Sequence, residues 1–209
     1  MTDLVTTVHQ LVENKQLNEV IDATLTSFNQ LKKTGTDEAL FSELCYCILT
    51  ANCHAQTCMG IQESFRQPFS EATESQIKKH LRNHHYRFPN VRTQYILEAQ
   101  KYKNQLRSIL KNHKPMKRRN WFVDHIRGLG MKEASHFLRN IGYTDYAIID
   151  THIIRLLQQY QIIKKPKTIT KKTYLHIEQL LDEIAQQTRL NLAALDLYLW
   201  YMQTGMVLK

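Results

Sequence analysis

One lysine and one aspartate in this chain stand where nucleophilic chemistry could occur. Lys132 follows Gly128-Leu129-Gly130-Met131, and Asp150 lies eighteen residues later, after the apolar run Ala147-Ile148-Ile149. Two glycines separated by one residue allow a tight hairpin with positive φ and close approach of the backbone to a ligand. The amphipathic helix expected behind them carries Met131, Ala134, Leu138 and Ile141 on one face. Its first N–H groups would point outward, unpaired, at the positive end of the helix dipole, which suits a phosphate oxygen. Lys132 falls in the first turn, where that dipole disfavours an ammonium; in a water-poor cleft the neutral amine becomes a nucleophile. Asp150 reads as the N-cap of a helix whose core face carries Ile153, Ile154 and Leu157. Taken singly, each feature also has a plain reading: a helix–helix turn, a surface lysine, a cap. A dinucleotide fold is excluded, because no strand precedes the glycines and no third glycine follows.

Cys45, Cys47, Cys53 and Cys58 fall within fourteen residues. On a helix Cys45 and Cys47 would point about 200° apart, and the spacing C-x-C-x5-C-x4-C fits no common zinc pattern. The thiols therefore read as small core side chains in a reducing compartment, and no metal or cofactor is expected.

The elements that must position these residues are helices. The sequence has six Gly and four Pro, and nearly every stretch between them repeats its apolar residues with a period of about 3.6. Leu40, Leu44, Cys47, Ile48 and Ala51 form one stripe, and Ile177, Leu180, Leu181 and Ile184 another. Thr36 before Asp37 and Glu38 predicts a helix N-cap. Phe122–Arg127 reads as a short helix before the glycines, beginning near Arg118, with Pro115 marking it off from the basic stretch. The last two helices are expected at roughly 171–187 and 190–203. The fold class is all-α.

A net charge of +9 over 209 residues favours a polyanionic partner. Between Lys101 and Asn120 there are eight basic residues and no acid, and five of the nine residues from Lys164 to Lys172 are lysine. A solvated basic surface is the plain alternative. No stretch approaches the roughly 18 apolar residues of a membrane span, and Met1 to Glu19 lacks the pattern of a signal peptide. The expected location is cytoplasmic, with the nucleoid.

Taken together, Gly128-Leu129-Gly130-Met131-Lys132-Glu133-Ala134 and Ile149-Asp150-Thr151-His152 closely resemble the helix–hairpin–helix and aspartate signature of the endonuclease III superfamily. That resemblance implies a Schiff-base nucleophile at Lys132 and a catalytic aspartate at Asp150, with duplex contacts at Gly128, Gly130 and Met131. No cysteine follows Cys58, so the iron–sulfur branches of the superfamily do not fit. Phe41–Asn52, Gly128–Gly142 and Leu195–Lys209 resemble instead the compact archaeal-type 8-oxoguanine DNA glycosylase/lyases, over roughly Phe28 to Lys209. By position, Phe88 and Trp200 would sandwich an extruded purine and Asp196 would accept from its edge. Lys209 would close the pocket, and Asn52 would enter the gap left in the duplex. Thr151 stands where an arginine is more usual in that family. Phe88 and Trp200 also read as core aromatics, and Asn52 as a helix C-cap.

The resemblance further implies two helical subdomains, residues 34–144 and residues 1–33 with 145–209, with the active site in the cleft between them. The expected protein is a monomer that acts on double-stranded DNA containing oxidised guanine, first as glycosylase and then as strand-nicking lyase. The same fold acting on another oxidised base, and a non-catalytic helix–hairpin–helix DNA-binding module, are the alternatives.

Overall fold

The computed structural model describes residues 1–209 and consists of twelve α-helices and one short 3-10 segment, Gln100–Tyr102. No helix is long and apolar enough to cross a membrane. By its internal packing the chain divides into two compact units, residues 31–137 and residues 1–30 with 138–209.

In chain order the helices are α1 (Thr2–Val12), α2 (Lys15–Thr34), α3 (Asp37–Thr50), α4 (Ala55–Ser64), α5 (Glu74–Asn83) and α6 (Pro89–Ala99). There follow α7 (Leu106–Asn112), α8 (Pro115–His125), α9 (Met131–Asn140), α10 (Thr151–Gln159), α11 (Lys171–Thr188) and α12 (Leu192–Thr204).

The unit of residues 31–137 is built around α3. Thr36 caps it as expected, its hydroxyl accepting from the Ala39 N–H at 3.1 Å. From Leu40 to Thr50 every residue except Ser42 is buried. The apolar stripe read from the sequence covers only part of this helix; Cys45, Tyr46 and Leu49 are buried on its other sides. A helix buried all round lies at the centre of its unit rather than on its surface.

Short polar side chains set the other helix starts. Thr73 and Gln76 form a capping box at α5. Pro89 and Pro115 occupy the first turns of α6 and α8, where a missing N–H costs nothing. The helix before the glycines therefore starts at Pro115 and ends at His125, rather than running from near Arg118 to Arg127. Pro115 opens that helix instead of separating it from the basic stretch, and Lys117, Arg118 and Arg119 lie within it.

In the other unit, Leu17, Ile21, Leu197 and Tyr198 form a buried cluster, flanked by Leu11, Tyr201 and Val207 among others. The Tyr198 hydroxyl donates to Asn18 Oδ1 at 2.8 Å, joining α12 to α2. Thr170 caps α11, and Arg189, in the left-handed region at φ 58°, ends it. Asn191 then caps α12, so the last helix begins at Leu192 rather than at residue 190.

Candidate active site

Within residues 31–137, α8 ends with the Ile126 N–H donating to the Phe122 carbonyl at 3.0 Å, and Leu129 N–H returns to the Ile126 carbonyl at 3.2 Å. Gly128 makes the turn at φ 92°. A Cβ at this position would lie 2.5 Å from Cδ2 of Tyr95, so both the conformation and the close approach require glycine. Gly130 differs, because its φ is not positive. Its N–H donates to Glu133 Oε2 at 3.2 Å. Glutamate at the third helical position thus caps the N–H of the residue just before the helix. The first helical hydrogen bond of α9 runs from Ala134 N–H to the Gly130 carbonyl at 3.0 Å.

Lys132 stands in the first turn of α9, its side chain 28% exposed, with Nζ 3.8 Å from Glu133 Oε1. Met131 is half-buried beside it. From Ala134 onward α9 is buried on every side, including Ser135, His136, Arg139 and Asn140. Arg119 of α8 is itself buried and donates to Ser135 Oγ at 3.2 Å. The His136 ring meets Tyr46 edge-on at 5.6 Å. The helix that carries the lysine in its first turn is therefore buried along most of its length.

Asn52 follows α3 as an exposed residue at φ 63°. Asparagine is among the residues that tolerate this region. The carbonyls left over at the end of α3 are taken up locally. Arg92 Nη2 donates to the Ala51 carbonyl at 2.9 Å, the Tyr86 hydroxyl to Leu49 at 2.6 Å, and Cys53 N–H to Thr50 at 3.2 Å. Arg92, 8% exposed, also packs on Tyr95 and lies near Gly128. It thus serves both the Asn52 turn and the hairpin, a role no sequence pattern revealed. Cys45, Cys47 and Cys58 are buried and Cys53 is partly exposed. Burial pushes the Cys58 thiol well up, and the neighbouring Cys53 adds to this, while the charges of Lys132 and Arg92 pull the other way. Phe88 is half-buried at the start of α6, with the Arg87 guanidinium 5.0 Å from its ring centre.

In the unit of residues 1–30 and 138–209, Asp150 is the N-cap of α10. Its Oδ1 accepts from the N–H groups of His152 at 2.8 Å and Ile153 at 2.9 Å. The segment before it is braced from α11. Ala147 N–H donates to Glu178 Oε1 at 3.0 Å, Ile149 N–H to the Tyr174 hydroxyl at 3.2 Å, and that hydroxyl donates to the Ala147 carbonyl at 2.7 Å. Tyr174 and Glu178 fix the approach to Asp150, and no local pattern around either residue announces that role.

Trp200, on α12, is half-buried, with the His152 ring 4.9 Å away at 66° and its Nε1 buried without a partner. Asp196, one turn earlier, has its Oδ2 2.9 Å from Arg139 Nη1. Gly205 at φ 70° ends α12, and the half-buried Lys209 closes the tail beyond it. The site residues read from the sequence are thus divided. Asn52, Phe88, Gly128, Gly130, Met131 and Lys132 lie in one unit, and Asp150, Asp196, Trp200 and Lys209 in the other.

Known proteins of similar sequence and structure carry the same framework. The family model described as 8-oxoguanine DNA glycosylase matches residues 21–190. The 8-oxoguanine DNA glycosylase/AP lyase of Korarchaeum cryptofilum is 41% identical over 209 residues, covering 99% of this chain and 98% of that protein. The crystal structure of the Methanocaldococcus jannaschii 8-oxoguanine glycosylase/lyase, in complex with a 15mer DNA containing 8-oxoguanine, is similar at a TM-score of 0.93 and 38% identity. That match covers 99% of each chain. The 8-oxoguanine DNA glycosylase of Thermotoga maritima is similar at a TM-score of 0.92 and 33% identity, covering 100% of this chain and 99% of that one. With hairpin, lysine and capping aspartate in place and likeness along the whole chain, this protein belongs to the 8-oxoguanine DNA glycosylase family.

Proposed function

We infer that this chain is a bifunctional DNA glycosylase/AP lyase that removes 8-oxoguanine from duplex DNA. Near-full-length similarity to proteins of that activity supports this, at 41% identity to the Korarchaeum enzyme. The observation that carries the chemistry is Lys132 in the first turn of α9, directly behind a hairpin that only glycine at 128 permits.

In this reading Lys132 Nζ attacks C1′ of the damaged nucleotide, the bond from C1′ to the base breaks, and the proton released from the nitrogen goes to the departing base. The C1′–O4′ bond then opens as the imine forms between C1′ and Nζ, and O4′ takes up a proton. The imine then acidifies a C2′ proton, whose removal expels the 3′ phosphate and nicks the strand. The ion pair with Glu133 must open before the amine attacks. Asp150 supplies a carboxylate to the same sugar, stabilising positive charge that develops at C1′ and the ring oxygen and assisting deprotonation of the lysine. Its bonds to two backbone N–H groups of α10 hold that carboxylate in one orientation.

Phe88 and Trp200 stack on the extruded base, Asp196 accepts from its edge, and Lys209 closes the pocket. The backbone around Gly128, Gly130 and Met131 binds phosphate, and Asn52 occupies the gap in the duplex. Two subdomains, residues 34–144 and the remainder, carry these groups. The protein works as a monomer in the cytoplasm, at the nucleoid.

Borohydride trapping on duplexes that contain 8-oxoguanine or thymine glycol tests the assignment. A covalent adduct on the first alone is expected, and Lys132→Gln should abolish it while largely sparing DNA affinity. An adduct on thymine glycol alone moves the substrate to another oxidised base. An adduct on neither leaves only a DNA-binding module, and an adduct formed by Lys132→Gln removes the nucleophile assignment.

A further inference from the structure

The ion pair between Arg139 and Asp196 is not used by the chemistry above. Arg139 Nη1 lies 2.9 Å from Asp196 Oδ2, with the two side chains only 3% and 12% exposed. Arg139 Nε donates to Asn140 Oδ1 at 2.9 Å, and its guanidinium lies 5.2 Å from the centre of the Phe28 ring. A planar fork held on three sides fixes the direction in which it presents its donors. Asp196 is the more open partner, so the arginine positions the carboxylate rather than the reverse.

Asp196 also borders an apolar crevice lined by Ala147, Ile148, Leu195 and Leu199 among others. A carboxylate in such surroundings without a cation would tend to take up a proton and become a donor as well as an acceptor. Paired with Arg139, it is an acceptor only. Each carboxylate offers roughly four lone-pair positions, so an arginine bond still allows bonds to a ligand. Asp196 stands one turn before Trp200 on α12, on the same face.

We propose that Arg139 is a specificity-determining positioning residue, which holds Asp196 as an acceptor-only carboxylate beside Trp200. A base bound there must present N–H donors on its pairing edge, as the N1–H and N2–H₂ of a guanine do. An adenine-type base presents an acceptor at N1 and is disfavoured. This rests on the reading that Asp196 and Trp200 form the base pocket. The arginine sits at the far end of α9, the helix that carries Lys132 in its first turn.

The test uses the full chain and two substrates, a duplex with 8-oxoguanine and a duplex with a pre-formed abasic site. The second needs Lys132 but no base pocket. Arg139→Met should slow single-turnover release of 8-oxoguanine at least about tenfold, because a polar pocket discriminates through paired groups. It should also narrow the preference for 8-oxoguanine over 8-oxoadenine. Borohydride trapping on the abasic duplex should stay within about threefold, as expected for a change confined to base recognition. Arg139→Lys, which keeps the charge, should recover most of the release rate. In an Asp196→Asn background Arg139→Met should have no further effect.

An equal fall on both substrates makes Arg139 a packing residue and overturns the proposal. So does an undiminished Arg139→Met effect in the Asp196→Asn background. Wild-type protein that traps abasic sites yet releases no 8-oxoguanine overturns the substrate reading, and this proposal with it. Failure of the arginine variants alone leaves that reading standing.

Discussion

Glu133 divides its carboxylate between two neighbours, with Oε2 on the Gly130 N–H and Oε1 3.8 Å from Lys132 Nζ. The pair with Lys132 must open before the lysine can attack as proposed. Glu133→Gln keeps an acceptor for the cap and removes the charge that holds the lysine. Single-turnover borohydride trapping should therefore be no slower than in the wild type. A clear fall in trapping rate would show that Glu133 acts instead as a base. At Trp200, truncation to alanine should weaken binding of a duplex containing 8-oxoguanine by about 1–3 kcal/mol, the range for one base stacked on an aromatic ring. Binding to undamaged duplex should change less; an equal loss would make Trp200 a packing residue. The placement of Lys132 at a helix start and of Asp150 at a cap was legible at this scale because hairpin, helix start and cap are all local patterns. Arg92 and Tyr174 were not, since each acts on backbone far along the chain, at Ala51 and at Ala147.

Among the elements, α9 shows how far local pattern reaches. The stripe of Met131, Ala134, Leu138 and Ile141 identified the helix, but Ser135, His136, Arg139 and Asn140 are buried as well. Amphipathic periodicity assumes one wet face, and a helix enclosed on all sides has none. The turn after α9 is similarly demanding. Gly142 lies at φ 85°, and a Cβ there would come 2.7 Å from the Phe28 carbonyl oxygen. Gly142→Ala should destabilise the protein by about 1–3 kcal/mol, measured by urea unfolding. A neutral result would mean that α2 yields easily at Phe28.

Tyr86, which braces the end of α3, adds a pH signature. Burial pushes its phenol up from 10.0 to about 12, partly offset by Arg92. A group whose pKa is raised on folding contributes fully below its unfolded value and loses that contribution as pH rises through the folded one. Tyr86 should therefore contribute about 2–3 kcal/mol up to pH 10 and lose it by about pH 12. Tyr86→Phe should flatten this part of the stability profile, and an unchanged alkaline slope would contradict the assignment.

Over the whole molecule the charge of +9 sets how the protein meets a polyanion. Not every basic residue in the run from 101 to 119 contributes alike, because Arg119 is buried against Ser135 while Lys111, Lys114 and Lys117 are exposed. Lys114 and Lys117 cap and begin α8, the helix that leads into the hairpin. Replacing Lys111, Lys114 and Lys117 with glutamine should reduce the slope of log affinity against log salt by about 0.9 for each phosphate no longer neutralised. Trapping on a bound abasic duplex should persist. An unchanged slope would place those lysines off the DNA path.

The all-helical class, the hairpin, the lysine at a helix start and the aspartate at a cap could all be read from the order of residues. Each depends on residues within a turn or two of one another, where backbone hydrogen bonding and helical periodicity act. It took the folded chain to show that Arg139 meets Asp196, fifty-seven residues away, and that Glu178 and Tyr174 hold the extended approach to Asp150. Such partners are chosen by packing among distant helices, and a carboxylate or guanidinium carries no mark in sequence of which one it will meet.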